Sequence, residues 1–303
     1  MSAHSRAIWS LIGLLIGVDA LWLPAAGISV AVSGLIRVFV AVAMVAAIAL
    51  FYWRTHRSNA LMRLCHATAQ LLTFSAAAAI LSYLVTATHA PLTDDMLAAA
   101  DRALGFDWSR WYGWVASHNL VALLLALAYS TLLLQIMLCM QFLAAFSSAD
   151  EFMWTLMIAS LTTIAVSGFL PALGNLPNAP FAVEFTALRE GQLRHIDLGA
   201  AQGLISFPSL HAALALLLIY AVRRWRPLLG AASLVNGMMV LSVPADGGHY
   251  LVDVIGGAVV AGISIHTARR VCRWVEASPR SRPSRPDGPS AEAEGREPSE
   301  TVA

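Results

Sequence analysis

Long apolar runs separated by short polar intervals dominate the chain. A membrane-spanning helix needs about 20 mostly apolar residues, and eight stretches meet or approach that length: approximately 8–25, 30–53, 64–88, 119–146, 152–173, 208–222, 227–245 and 250–268. This pattern predicts an all-α fold, a polytopic transmembrane helix bundle of about eight spans. The last three stretches are short, and those beginning near 208 and 250 carry polar residues at one end. Polar groups buried in membrane helices are costly and face a cavity, so a site is expected there. The first run reads as a retained helix rather than a signal peptide, because the next apolar segment follows directly with no small-residue cleavage site between them. The segment 91–118 sets Trp108, Trp111 and Trp114 among charges and predicts an amphipathic, anchoring helix in the membrane interface. Beyond Val275 the chain turns to Pro, Ser and charge, a composition that favours disorder.

Composition sharpens this picture. Hydrophobic residues make up 58% of the 303 and charged residues 12%, against about 25% charged in an ordinary soluble domain, so the apolar excess must face lipid. All 19 basic residues are arginine, which excludes any mechanism that needs a lysine. A net charge of +1 without a basic stripe excludes nucleic acid as a partner. Cys65, Cys139 and Cys272 have neither disulfide nor metal-site spacing and read as packing residues. Arg54, Arg57 and Arg63, then Arg223, Arg224 and Arg226, then Arg269, Arg270 and Arg273 all fall on one side of an eight-span chain. By the positive-inside rule that side is cytoplasmic, together with both termini. The acidic segment around Asp94, Asp95 and Asp101, the loop 174–207 and the turn 246–249 then face outward.

Two polar clusters interrupt apolar helices at this outer side. The first is Ser206-Phe-Pro-Ser-Leu-His211. Pro208 suits a helix start, which puts Ser209 and His211 in an opening turn whose free N–H groups and dipole favour an anion. The second runs from Ser242 through Gly247, Gly248 and His249 to Asp253. Two glycines permit a tight turn with exposed backbone donors. The four-residue spacing of His249 and Asp253 sets both on one helical face, where the carboxylate can take the proton of one ring nitrogen and leave the other as a nucleophile or base. His56, His66, His89, His118 and His266 read as polar trim at the interface, and Asp19 and Arg37, both inside apolar helices, are candidates to pair with each other.

The forms FPSLHAA and GGHYLVDVIGG, in this order and spacing, resemble the second and third signature motifs of the type 2 phosphatidic acid phosphatase (PAP2) superfamily, and most closely its inositolphosphotransferase branch, related to inositol phosphorylceramide synthase. The resemblance covers roughly 120–270. It implies a six-helix PAP2-like core within a catalytic domain 64–273 that includes the interfacial segment 91–118, preceded by a helix pair over 1–60 and followed by a disordered cytoplasmic tail, 274–303. It further implies that His249 attacks phosphorus to form a phosphohistidine, that Asp253 orients it, and that His211 protonates the leaving group, with no metal or other cofactor. Two departures from the family pattern stand out. Val243 occupies the position of an arginine, and the Lys and Arg-Pro of the first motif have no counterpart. Arg189 and Arg194 in the outer loop, whose guanidinium groups can bind phosphate oxygens in bidentate fashion, together with Ser209 and the backbone at Gly248, are the expected substitutes.

The function expected is that of a lipid phosphate phosphatase or phosphotransferase with a lipid phosphate as substrate and the bilayer as its setting. We expect it in a bacterial inner membrane with the site facing outward. Two alternatives compete. A zinc site built from His211, His249, Asp253 and Asp246 lacks an HExxH-type general base. A transporter using the histidines as a proton relay would place them nearer the midplane, within inverted repeats that the chain does not display.

Overall fold

The fold is a multi-pass transmembrane helix bundle, and the computed structural model describes residues 2–55 and 58–277. Among these residues the helices are α1 (Ala3–Ala26), α2 (Val32–Thr55), α3 (Asn59–Thr86), α4 (Asp94–Ala103), α5 (Trp108–Ser117), α6 (Asn119–Ser130), α7 (Leu132–Phe146), α8 (Asp150–Phe169), α9 (Pro180–Arg189), α10 (Leu210–Ala221), α11 (Arg226–Asp246) and α12 (Leu251–Ala277). A two-residue parallel pairing joins β1 (Ser29–Val30) to β2 (His195–Ile196). The predicted tail lies outside the described residues from 278 onward, as does His56.

All eight predicted stretches fall in helices, and six of those helices, α1, α2, α3, α8, α11 and α12, are long and apolar enough to cross a membrane. The other two stretches differ in length for visible reasons. The run 119–146 is interrupted at Thr131, which divides it into α6 and α7, and α5 meets α6 at a 109° bend. The run at 208–222 yields only the 12-residue α10, because Ser206 to Ser209 stay outside the helix and Ser209 caps it, its hydroxyl accepting from Ala212 N at 3.3 Å. At 1.5 Å per residue α10 is about 18 Å long, well short of a hydrocarbon core of roughly 30 Å.

Contacts at the helix ends order the bundle. At one end Ser5 meets His66 at 2.6 Å, Arg63 donates to Ala144 O at 3.0 Å, and Glu151 accepts from Arg223 at 3.3 Å and from the Tyr220 hydroxyl. With Arg269 of α12 donating to the Tyr220 hydroxyl at 2.6 Å, this gathers the starts of α1, α3 and α8 with the ends of α7, α10 and α12. The opposite end carries α4, α9 and the motif residues. Since α10 and the 20-residue α8 share a level at the charged end, the first turn of α10 lies about 12 Å short of where α8 stops. The site is thus recessed into the bundle.

α8 occupies the centre, with most of its residues from Phe152 to Ser167 buried against α3, α10 and α12. α1 presents one buried stripe, Ile8, Ile12, Leu15 and Asp19, at helical spacing. α2 buries only Gly34 and turns its remaining apolar residues outward, as a lipid-facing helix does. Arg37 does not pair with Asp19. It bonds to Asp197 at 2.6 Å, because the outer loop folds back over the start of α2, and both Asp19 oxygens are buried without a hydrogen-bond partner. The Gly199 N–H and then Arg37 hold the exposed Asp197 carboxyl below its usual value.

α10 and α12 approach closely through Gly257, where a Cβ would stand 2.9 Å from Ala212 Cβ, 3.1 Å from Ala213 N and against the Ser209 carbonyl. Overpacking of this kind costs about 1–3 kcal/mol. Gly257→Val is expected to lower the thermal unfolding midpoint of the protein in detergent, while Gly262→Val, whose Cβ meets nothing within 4 Å, is expected to stay near wild type.

Candidate active site at the buried His249–Asp253 pair

The turn between α11 and α12 can be built only with glycine at its second position. Gly248 has φ 64, and a Cβ there would lie 2.9 Å from the Leu176 side chain. Its carbonyl accepts from Asn175 N at 2.6 Å, which fastens the turn to the loop after α8. His249 follows, 4% exposed, and its Nδ1 lies 3.1 Å from Oδ2 of the fully buried Asp253. The same oxygen accepts from Ser206 Oγ at 2.9 Å and from Tyr250 N at 3.0 Å. A carboxylate can only accept, so Nδ1 carries the hydrogen and Nε2 keeps its lone pair. The Asp253 carbonyl also accepts from Ser209 N at 3.0 Å, locking the start of α10 to α12.

His211 projects from the first turn of α10, and its ring stacks on Tyr129 with centroids 4.3 Å apart and planes 9° from parallel. Both histidines, Ser206 and Gly247 line one cavity of about 680 Å³. Away from the histidines its walls are mostly apolar, formed by Leu71, Phe74, Ile136 and Leu156 among others, with scattered serines. A second cavity of about 330 Å³ at the charged end, among Tyr220, Arg223 and Cys272, contains none of the motif residues.

The structure therefore brings His211, His249 and Asp253 together, while the four expected phosphate donors, Gly248, Ser209, Arg189 and Arg194, are not on the cavity wall. The fully buried Ser209 hydroxyl is taken up by the helix cap and is not on the cavity wall. Arg189 ends α9, a helix formed inside the segment read as a loop, and donates to Ala90 O at 2.6 Å. Burial draws its guanidinium below the ordinary value. Arg194 donates to Gly191 O at 3.2 Å and Ala26 O at 3.1 Å. Neither arginine lines the cavity.

The sequence model of the PAP2 superfamily matches residues 95–267, more than half of the chain. The chain belongs to the PAP2 superfamily. No curated protein and no solved structure matches it. Membership supports a phosphatase- or phosphotransferase-type function. Among the described residues, no group of three His, Cys, Asp or Glu side chains is arranged to hold a metal ion.

Around this PAP2 site stand supports that the motifs do not contain. Asp101 of α4, 3% exposed, accepts from Leu251 N at 2.8 Å and Val252 N at 2.9 Å. It thus caps α12 from another helix and satisfies donors that every helix start leaves open. Asp94 accepts from Leu173 N, Gly174 N and the Tyr250 hydroxyl, at 3.0, 2.8 and 3.1 Å. Burial and then the Asp94 carboxylate push the Tyr250 phenol above its usual value. Trp108 of α5 donates to Pro244 O at 2.7 Å. The segment 91–118 is therefore more than an anchor, since it clamps the turn that carries His249. The available signal was the seven-residue spacing of Asp94 and Asp101, which sets them on the buried Leu97 face of α4.

Replacing Asp101 by Asn turns an amide N–H2 toward a backbone N–H and leaves a buried donor unpaired, at a cost of about 1–3 kcal/mol. Asp101→Asn is expected to lower the unfolding midpoint measurably, whereas Asp95→Asn, on the exposed face of the same helix, is expected to leave it unchanged.

Proposed function

We propose that this chain is a lipid phosphate phosphatase or phosphotransferase that works through a phosphohistidine on His249. The observation that carries the reading is the fixed ring of His249. Nδ1 is committed to Asp253, so the lone pair of Nε2 is the group left for a substrate in the cavity that His211 also lines. The apolar remainder of that cavity suits the hydrocarbon part of a lipid.

In the proposed first step the Nε2 lone pair attacks phosphorus, the bond from phosphorus to the lipid alkoxy oxygen breaks, and His211 in its protonated form gives that oxygen its proton. The positive charge that develops on the His249 ring is balanced by Asp253, which stays ionised. In the second step His211, now neutral, removes a proton from water or an alcohol, whose oxygen attacks phosphorus. The P–N bond breaks, and both histidines return to their starting states. Water as acceptor gives hydrolysis and an alcohol gives transfer. The FPSLHAA and GGHYLVDVIGG forms, with Val243 in the place of an arginine, favour transfer of the inositolphosphotransferase kind.

Arginines Arg63, Arg223 and Arg269 gather at the end of the bundle away from the cavity. The positive-inside rule supports placing that end, with α1's start and α12's end, in the cytoplasm and the active site on the outer face of a bacterial inner membrane.

His249→Ala is expected to abolish turnover of lipid phosphates. His211→Ala is expected to slow it by about 10²–10⁴-fold, the usual contribution of a general acid. The His211→Ala deficit is expected to shrink when the lipid alcohol is replaced by p-nitrophenol, a leaving group that departs without a proton. Steady-state rates of both variants on the two substrate types check this, and a His249→Ala enzyme with wild-type turnover would refute the reading.

A further inference from the structure

A phosphate monoester bound beside two histidines needs hydrogen-bond donors, and the usual cationic ones are missing from this cavity. The chain has no lysine, and Arg189 and Arg194 are spent on backbone carbonyls away from it. The Ser206 hydroxyl is committed to Asp253. Four further serines line the wall: Ser82 and Ser130 donate to the Ala79 and Leu127 carbonyls at 2.7 and 3.0 Å, and Ser75 and Ser160 sit near the middle of α3 and α8, while the Gln202 side chain donates to Ala200 O at 3.2 Å.

Tyr129, near the end of α6, is placed differently. Its ring lies flat on His211, which fixes the direction of its hydroxyl, and it lines the same cavity as both histidines. The position a Cβ would take on Gly247 is 2.9 Å from the Tyr129 hydroxyl oxygen and 2.6 Å from His249 Cδ2. The bare backbone of Gly247 therefore keeps open the space that separates the phenol from the nucleophile. The hydroxyl has no hydrogen-bond partner among the described residues, and Asp246, the nearest acid on α11, is not on the cavity wall. A phenol is neutral at physiological pH and can donate one hydrogen bond, and a bond from a neutral donor to an anion is stronger than one between neutral groups.

We infer that the Tyr129 hydroxyl is a phosphate-binding group of this site, donating to a non-bridging oxygen of the phosphate between His211 and His249. This rests on the proposed phosphate chemistry of the cavity. Tyr129 thereby takes over part of the work of the arginine that Val243 replaces, and the stack with His211 ties the general acid to the same phosphate.

The test is calorimetric titration of inorganic orthophosphate into the purified full chain in detergent, wild type against Tyr129→Phe, with the unfolding midpoint of each recorded. Tyr129→Phe keeps the ring and its stack and removes only the hydroxyl. The expected result is a wild type that binds orthophosphate and a variant that binds it about tenfold to a hundredfold more weakly with an unchanged midpoint. Equal affinities, whatever the midpoint, would overturn the Tyr129 contact and leave the proposed function standing. A wild type that does not bind orthophosphate at all would overturn both.

Discussion

One oxygen of Asp253 holds the site together. Oδ2 lies in a fully buried residue and accepts from the His249 ring, the Ser206 hydroxyl and the Tyr250 backbone, three donors that come from the turn before α12 and from the irregular segment before α10. Burying a carboxylate is expensive unless it is paired and hydrogen-bonded, so this arrangement persists only while all three donors stay in place. The supports follow from that requirement. Asp101 caps the first turn of α12, Asp94 ties Tyr250 to the loop after α8, and Trp108 secures the end of α11. Each fixes a segment that must not drift if the three donors are to converge.

The same constraint explains the depth of the site. Because Ser209 N bonds to the Asp253 carbonyl and Gly257 lets α10 pack hard on α12, the short α10 cannot slide outward, and its first turn stays recessed below the end of α8. A recessed site joined to an apolar cavity lets a lipid keep its hydrocarbon in apolar surroundings while its phosphate meets the histidines. Charge is distributed accordingly. The arginine network with Glu151 and Tyr220 sits at the other end of the bundle, and the cavity end is ordered by carboxylates that accept backbone N–H groups.

Much of this was legible from the chain itself, for reasons that can be named. Lipid-facing helices are apolar for their whole length, so their runs stand out. His249 and Asp253 are four apart on one helix, so their pairing is local. Ser206 sits within a recognisable motif, yet its partner is 47 residues away, and nothing in its neighbourhood announces the bond. Arg189 and Arg194 misled because residue type suits phosphate while position does not. α9 carries Arg189 onto the Ala90 carbonyl, and Arg194 turns back onto its own loop. Tyr129 was hidden for the converse reason. An aromatic residue in an apolar helix reads as lipid-facing or core, and only the packing of α6 on α11, and of α11 on α10, brings it onto His211.

The central claim, that Nε2 of His249 is the nucleophile that Asp253 prepares, is tested most directly by rapid acid-free quenching of the enzyme during turnover of a ³²P-labelled lipid phosphate, followed by peptide mapping. The expected label is stable in alkali, labile in acid, confined to the peptide carrying His249 and absent from the His249→Ala protein. A turnover-competent enzyme whose label sits on another residue, or that turns over with no labelled protein at any quench time, would contradict it.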